Sequence, residues 1–179
     1  MAHEIGTRHV GMIALGAGAL AAAIYVVMIR VTLAHLTVVS GLTPFDMRPM
    51  GYGPAEATAL LEGLGPEGRA YYLSRQIPLD LMYPVLLAAV LVATICWCGR
   101  RLGGWRLLRL GMVAAVGAAL FDYGENLGVA AMIWGWPGVS EPLVFATSAA
   151  TIAKSVLTMV AVVVAMGALA AVLIRRAWR

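Results

Sequence analysis

Residues 110–134 read LGMVAAVGAALFDYGENLGVAAMIW, an apolar run in which Asp122 and Glu125 are the only charged residues. A helix that crosses a membrane needs ~20 consecutive, mostly apolar residues to span ~30 Å of hydrocarbon. Three other segments of the chain have the same character. The sequence therefore predicts four spans, at about residues 10–39, 78–98, 107–134 and 142–174.

The composition supports the same fold class. The 179 residues are 61% hydrophobic and 12% charged, with a mean hydropathy of +0.86, whereas soluble domains are about 45–50% apolar and about 25% charged. We expect an all-α, polytopic membrane protein in which residues 1–179 form a single transmembrane domain, a four-helix bundle. A nucleic-acid partner is not expected, because the arginines cluster at helix ends without an aromatic-rich basic patch.

The distribution of arginine predicts the orientation of the spans. Basic residues follow the second span (Arg100, Arg101, Arg106 and Arg109) and the fourth (Arg175, Arg176 and Arg179), whereas residues 135–141 contain none. Loops rich in arginine and lysine stay in the cytoplasm. The sequence therefore predicts a multi-pass protein of the cell (inner) membrane with both termini cytoplasmic and residues 40–77 as an outer loop.

The outer loop has a helical pattern of its own. Gly53-Pro54 places proline at a first helical position, and Ala57, Leu60, Leu61 and Leu64 then follow the spacing of one apolar helix face. We expect a short amphipathic helix on the outer membrane surface. Gly65-Pro66 starts a second helix that leads into the second span. The loop is either a lid or a passive covering.

Charged residues inside the spans are the main candidates for function, because ionisable groups in a membrane are rare without a partner or a role. Asp122, Glu125 and Asn126 share one helix face. The fourth span carries a polar face of its own, formed by Thr147, Thr151, Lys154, Ser155 and Thr158. The short link makes the third and fourth helices antiparallel neighbours. We therefore expect an ion pair between Asp122 and Lys154.

Polar residues of the first two spans fall at the same level, namely Arg30, His35, Asp80 and Tyr83. A buried set seldom tolerates net charge, so either one carboxyl keeps its proton or His35 is protonated. Such a carboxyl could serve as an acid or base. The predicted catalytic residues are Asp122, Glu125 and Lys154. The predicted ligand-binding residues are Arg30, His35, Asp80, Tyr83, Tyr123, Asn126, Thr151 and Ser155.

Three interpretations of this cluster compete. It is a structural ion-pair network, a pocket that binds or converts a small lipophilic molecule, or a proton- or ion-coupled transport path. The pocket is our working hypothesis, with membrane lipid as the surrounding partner, and whether the protein is an enzyme stays open. We predict no cofactor and no metal, because Cys96 and Cys98 alone make an incomplete ligand set. The oligomeric state is not predicted.

Over about residues 10–110 the layout resembles the EXPERA family, which includes the emopamil-binding sterol isomerase and ligand-binding relatives. The likeness is carried by a first loop of short helices, by Gln76-Ile77-Pro78 and Pro84 in the second span, and by the basic turn at Arg100-Arg101. The acidic residue that the family has before the Gln-x-Pro stretch is absent, and Tyr72 and Ser74 lie there. The resemblance implies a lipophilic pocket with buried carboxyls.

Overall fold

The computed structural model describes residues 2–102 and 105–178, with side chains described from Met12 onward except at 13, 14 and 105. These residues form helices and connecting turns, without a strand. Four helical stretches are long and apolar enough to cross a membrane, which confirms the predicted all-α class with four such helices. They are Leu15–Ser40, Pro54–Leu102, Arg106–Trp134 and Glu141–Ala177.

The first two stretches are assembled from shorter pieces. Helix α1 (Ala2–Val27) passes through a π-helical turn (Met28–Thr32) into α2 (Leu33–Ser40), and α3 (Pro54–Tyr71) passes through a second π turn (Tyr72–Gln76) into α4 (Ile77–Leu102). Helices α5 (Trp105–Trp134) and α6 (Glu141–Ala177) complete the bundle. π turns inside α-helices frequently lie at functional sites.

The loop between α2 and α3 folds back onto the bundle. A short 3₁₀ helix (Phe45–Met47) precedes α3, and the Glu56 carboxylate caps α3 by accepting a hydrogen bond from the Gly53 N–H at 2.8 Å. Gly65 interrupts α3 with φ 60° and ψ −178°, a backbone conformation that favours glycine. The chain thus restarts at Pro66, as the Gly-Pro pair predicted.

The apolar face of α3 has a different environment from the predicted one. Ala57, Leu60, Leu61 and Leu64 are exposed by no more than 2%, because they pack into a core cluster together with Leu36, Phe45 and Val144. The face that we expected on a membrane surface is therefore covered by the protein itself. Burial of this face holds the loop over one end of the bundle, which we call the loop end.

Two core clusters fill the bundle. The cluster at the loop end joins α1–α3 to α5 and α6, and the second cluster, nearer the opposite end, is built from α4, α5 and α6 around Ile95, Ala114 and Ala161. We call this opposite end the arginine end, because Arg100, Arg101, Arg175 and Arg176 lie there. Helices α5 and α6 have the most extensive contact of any helix pair.

Glycines permit this close approach of α5 and α6. A Cβ atom added at Gly111 would lie 2.6 Å from Val164 Cγ1, and one added at Gly128 would lie 2.8 Å from Thr147 Cβ. Contacts this short require a shift of the neighbouring side chain or of its helix. Gly128 therefore fixes the spacing of α5 and α6 at the level of the charged residues.

We predict that Gly128→Ala lowers the free energy of unfolding by about 1–3 kcal/mol, because the added methyl overpacks the α5–α6 contact. The measurement is equilibrium unfolding in mixed micelles, followed by circular dichroism. Gly167→Ala is the matched control, since a Cβ at Gly167 meets no atom within 4 Å. The control should gain rather than lose stability, by up to ~1 kcal/mol. Wild-type stability of Gly128→Ala would contradict the prediction.

Candidate functional site

Lys154 on α6 lies between two carboxylates of α5. Its Nζ atom is 3.2 Å from Asp122 Oδ1 and also contacts Glu125 Oε2. All three residues are largely withdrawn from solvent. One ammonium group thus serves both acidic residues, whose i, i+3 spacing places them on the same face of α5.

Neutral donors extend this cluster to α4 and along α6. Asn126 Nδ2 donates to Asp80 Oδ2 at 2.9 Å and lies 3.4 Å from Asp122 Oδ1. Thr151 Oγ1 donates to Glu125 Oε1 at 2.8 Å. Asp80, Asn126 and Thr151 are buried. The structure therefore joins α4, α5 and α6 through one continuous set of polar contacts, which we call the acid cluster (Asp80, Asp122, Glu125, Asn126, Thr151 and Lys154).

A further carboxyl, Asp46, comes from the loop. Tyr72 Oη donates to Asp46 Oδ2, and Gln76 Nε2 donates to Asp46 Oδ1 at 3.1 Å. Gln76 also accepts a hydrogen bond from the hydroxyl of Thr32. Thr32 lies in the π turn of the first helical stretch and Gln76 in that of the second. Gln76 therefore connects the loop residue Asp46 to both stretches.

Tyr52 provides a second loop contact. Its backbone N–H donates to Ser148 Oγ at 2.8 Å, and its ring stacks at a tilt on Phe45, with centroids 4.6 Å apart. The buried hydroxyl lies beside Thr151 and Glu125 and makes no hydrogen bond of ordinary geometry within the described residues. Burial, and then the charge of Glu125, raises the pKa of Tyr52 above its ordinary value. Its phenol therefore remains a proton donor at neutral pH.

A cavity of about 360 Å³ lies against the acid cluster. Its polar wall contains Asp46, Asp80, Asp122, Lys154 and Ser155, and its apolar wall is supplied largely by the first stretch. The apolar wall includes Tyr25, Met28, Ile29 and Leu33. Tyr25 and Met47, which line the cavity, are 48% and 44% exposed, so the cavity opens to the protein surface.

A second, smaller cavity continues from the first between α1 and α4. It has a volume of about 230 Å³ and shares Tyr25, Tyr83 and Leu87 with the first. The remaining lining is apolar and small, including Gly18, Ala21 and Ala22. The rings of Tyr25 and Tyr83 stack at 5.6 Å where the two cavities meet. Together they form a slot with one acidic end and one apolar end.

Several predicted site residues line the first cavity, namely Asp80, Tyr83, Asp122, Lys154 and Ser155. Glu125, Asn126 and Thr151 belong to the acid cluster behind that wall. Tyr123 lies outside the cavity lining and the acid cluster, and its hydroxyl donates to the Leu81 carbonyl at 2.9 Å.

The structure does not bring Arg30 and His35 to the cluster. Both are exposed, and His35 packs its ring against Tyr71 with centroids 4.2 Å apart. The sequence predicts both as ligand-binding residues, with a protonated His35 as one way to balance the charge of the cluster. The π turn at Met28–Thr32 changes the helical phase just where these residues lie. Within the described side chains, Lys154 is therefore the one cation of the acid cluster.

Sequence reasoning missed Asp46, Tyr52, Tyr72 and Gln76. The sequence pattern assigns no role to Asp46 or Tyr52, and Tyr72 and Gln76 are named only in the resemblance to the EXPERA family. No periodicity marks them, since they meet through a loop fold and π turns. The available signal was local, because Phe45 and Tyr52 are large aromatic residues in a loop whose burial would carry Asp46 inward.

Comparison with known proteins identifies no relative: no protein-family model matches the chain, and neither do curated proteins or solved structures.

We predict that Lys154→Met lowers the free energy of unfolding by about 3–5 kcal/mol, because it leaves Asp122 and Glu125 without a counter-charge. Equilibrium unfolding in mixed micelles measures the effect. The triple variant Lys154→Met/Asp122→Asn/Glu125→Gln should recover most of the loss, since its cluster is neutral.

Arg30→Met is the control for this prediction. It also removes one cation, but from an exposed position outside the cluster, and its effect should stay within about 0.5 kcal/mol. Equal losses in Arg30→Met and Lys154→Met, or a triple variant no more stable than Lys154→Met, would contradict the assignment of Lys154 as the counter-charge.

Proposed function

We propose that this chain is an integral membrane protein whose cavity at the acid cluster binds, or converts, a small lipophilic molecule. The observation that carries the proposal is the slot itself, in which the carboxyls of Asp46, Asp80 and Asp122 line one part and small apolar residues line the other. Ligand pockets are commonly apolar cavities of this size range with a few convergent polar groups.

The proposed orientation follows from the two ends of the bundle. Arg100, Arg101, Arg175 and Arg176 lie at the arginine end, and loops rich in arginine stay in the cytoplasm. We therefore propose that the arginine end and both termini face the cytoplasm of a cell (inner) membrane. The acid cluster and its cavity then lie toward the outer surface, beneath the loop that carries Asp46.

The charge of the cavity favours a basic ligand. Asp46, Asp80, Asp122 and Glu125 supply four carboxyls against the single ammonium of Lys154. A buried excess of negative charge is stabilised by protons or by a bound cation. An amine placed beside Asp80 would supply that charge, and its hydrocarbon part would extend past Tyr25 and Tyr83 into the smaller cavity.

The roles of the residues follow from their positions. Asp80 and Asp122 line the cavity and would contact the ligand directly, and Tyr83 would orient it. Glu125 lies behind them, where it pairs with Lys154 and accepts a hydrogen bond from Thr151. It would therefore influence the ligand indirectly, by positioning Lys154. If the molecule is converted, Asp122 would be an acid or base in the cavity wall, and Tyr52 is a neutral proton donor beside Glu125.

The acid cluster has two alternative proposed functions. A purely structural role is favoured by the pairing of each acidic side chain of the acid cluster with a donor. A proton- or ion-coupled transport role has less support, because the described residues between the cluster and the arginine end form an apolar core around Ile95, Ala115 and Ala161. A proton flux in proteoliposomes that disappears in Asp122→Asn would favour transport.

The test uses two probes of matched shape, 4-phenylbutylamine and 4-phenyl-1-butanol, with the protein in lipid nanodiscs and calorimetry as the readout. We expect the amine to bind roughly tenfold or more tightly than the alcohol, since only the amine supplies a charge to the carboxyls. Asp80→Asn should weaken amine binding by a similar factor and leave the alcohol unchanged. Its amide oxygen can still accept the hydrogen bond from Asn126.

Glu62→Gln is the matched control, because it removes one carboxylate at an exposed position of α3. It should bind both probes as the wild type does. Equal affinities for amine and alcohol would contradict the preference for a basic ligand. Failure of both probes to bind, together with the absence of any co-purified compound in native mass spectra, would favour the structural alternative.

A further inference from the structure

The arginine end is strongly cationic, and the segments of α4, α5 and α6 that lie there contain no acidic residue. The sequence has no aspartate or glutamate between Asp80 and Asp122, and none after Glu141. Arg100, Arg101, Arg106 and Arg109 lie in the first of these intervals, and Arg175, Arg176 and Arg179 lie in the second. The ion pairs of the described residues involve Arg48 and Lys154 instead. This end therefore has cationic groups that lack a partner in the described structure.

Three of these arginines line one cavity. It has a volume of about 390 Å³ and lies between the last turns of α4 and α6. Its lining consists of Trp97, Arg101, Leu102, Val172, Leu173, Arg175 and Arg176. A cavity of this size holds a group considerably larger than a water molecule.

Two of the guanidinium groups are held in place by the protein. The Arg101 guanidinium carbon lies 3.7 Å from the centroid of the Trp97 ring, and its Nη1 donates to the Trp97 carbonyl at 3.2 Å. Arg175 Nη1 donates to the Leu102 carbonyl at 3.1 Å. A guanidinium group carries five N–H donors, so most of the donors are left over for an anion. Phosphate oxygens match this planar fork of donors well.

An apolar cavity adjoins the basic one. It has a volume of about 420 Å³, lies between the start of α5 and α6, and shares Leu102 with the basic cavity. Its lining is entirely apolar and includes Leu108, Gly167 and Ala171. The surface thus offers a cationic recess and, beside it, a groove for a hydrocarbon chain.

We infer that the arginine end binds an anionic phospholipid, with its phosphodiester headgroup on Arg101, Arg175 and Arg176 and an acyl chain in the groove beside Leu102. Basic pockets between membrane helices bind anionic headgroups in the same way. The lipid is favoured over a soluble phosphate because the apolar groove would otherwise lack an occupant. This inference rests on the placement of the four helices across a membrane, but not on the ligand of the acid cluster at the other end.

The test is native mass spectrometry of the full chain in detergent, titrated separately with phosphatidylglycerol and phosphatidylcholine. The wild type should bind phosphatidylglycerol roughly tenfold more tightly than phosphatidylcholine. Arg101→Gln/Arg176→Gln should remove most of this preference. Arg175 is left unchanged in that variant because its hydrogen bond joins α6 to α4.

Arg106→Gln/Arg109→Gln is the matched control. It removes the same charge from exposed residues of the same end that do not line the basic cavity. It should keep the preference for phosphatidylglycerol to within about twofold, because diffuse attraction to anionic lipid contributes only weakly per charge. Equal losses in the two double variants would overturn the inference. So would a wild type without headgroup preference, or competition by glycerol 3-phosphate as effective as that of the lipid.

The groove is tested by Gly167→Leu, which fills it without touching an arginine. A Cβ at Gly167 meets no atom within 4 Å, so this variant should fold. It should weaken phosphatidylglycerol binding severalfold, and glycerol 3-phosphate should stay a poor competitor. Unchanged lipid affinity would overturn the placement of the acyl chain.

The double variant Arg101→Gln/Arg176→Gln could have a lower melting temperature than the wild type. In that case the single variants Arg176→Gln and Arg109→Gln are compared in the same titrations, with the same expected outcomes.

Discussion

The interaction on which this structure depends is the contact of Lys154 with two carboxylates of α5. An ionised group in an apolar bundle is tolerated only when a partner offsets its lost hydration. Lys154 meets that requirement with Asp122 and Glu125, and Asn126 carries the network on to Asp80. These contacts determine which faces of α4, α5 and α6 turn inward, so the charged residues define the register of the bundle as well as its cavity.

The loop between the first and second stretches completes the site. It brings Asp46 against Gln76 and Tyr72, and Gln76 in turn bonds Thr32 across the two π turns. A π turn widens a helix locally and shifts the phase of the residues that follow. Here that shift leaves Arg30 outside the cluster and gives the loop a place to attach. The proposed ligand would therefore enter past Tyr25 and beneath a loop that is anchored on both sides.

The two ends of the bundle are opposite in charge and separated by an apolar core. Carboxyls collect near the loop end, arginines collect at the other, and Leu91, Ile95 and Ala161 lie between them. This separation suits two independent binding events better than one path from end to end. We propose a lipophilic, basic ligand at the first end and an anionic lipid at the second.

The sequence alone determined that the chain forms four long apolar helices, because a run of apolar residues has few other stable outcomes in a membrane. It also indicated that Asp122 and Lys154 face each other, since helical periodicity and a short hairpin fix both phase and depth. Only the tertiary structure decided that Asp46 and Tyr52 join the site and that Arg30 does not. Those positions depend on a loop fold and on π turns, which arise from packing between distant segments rather than from local periodicity.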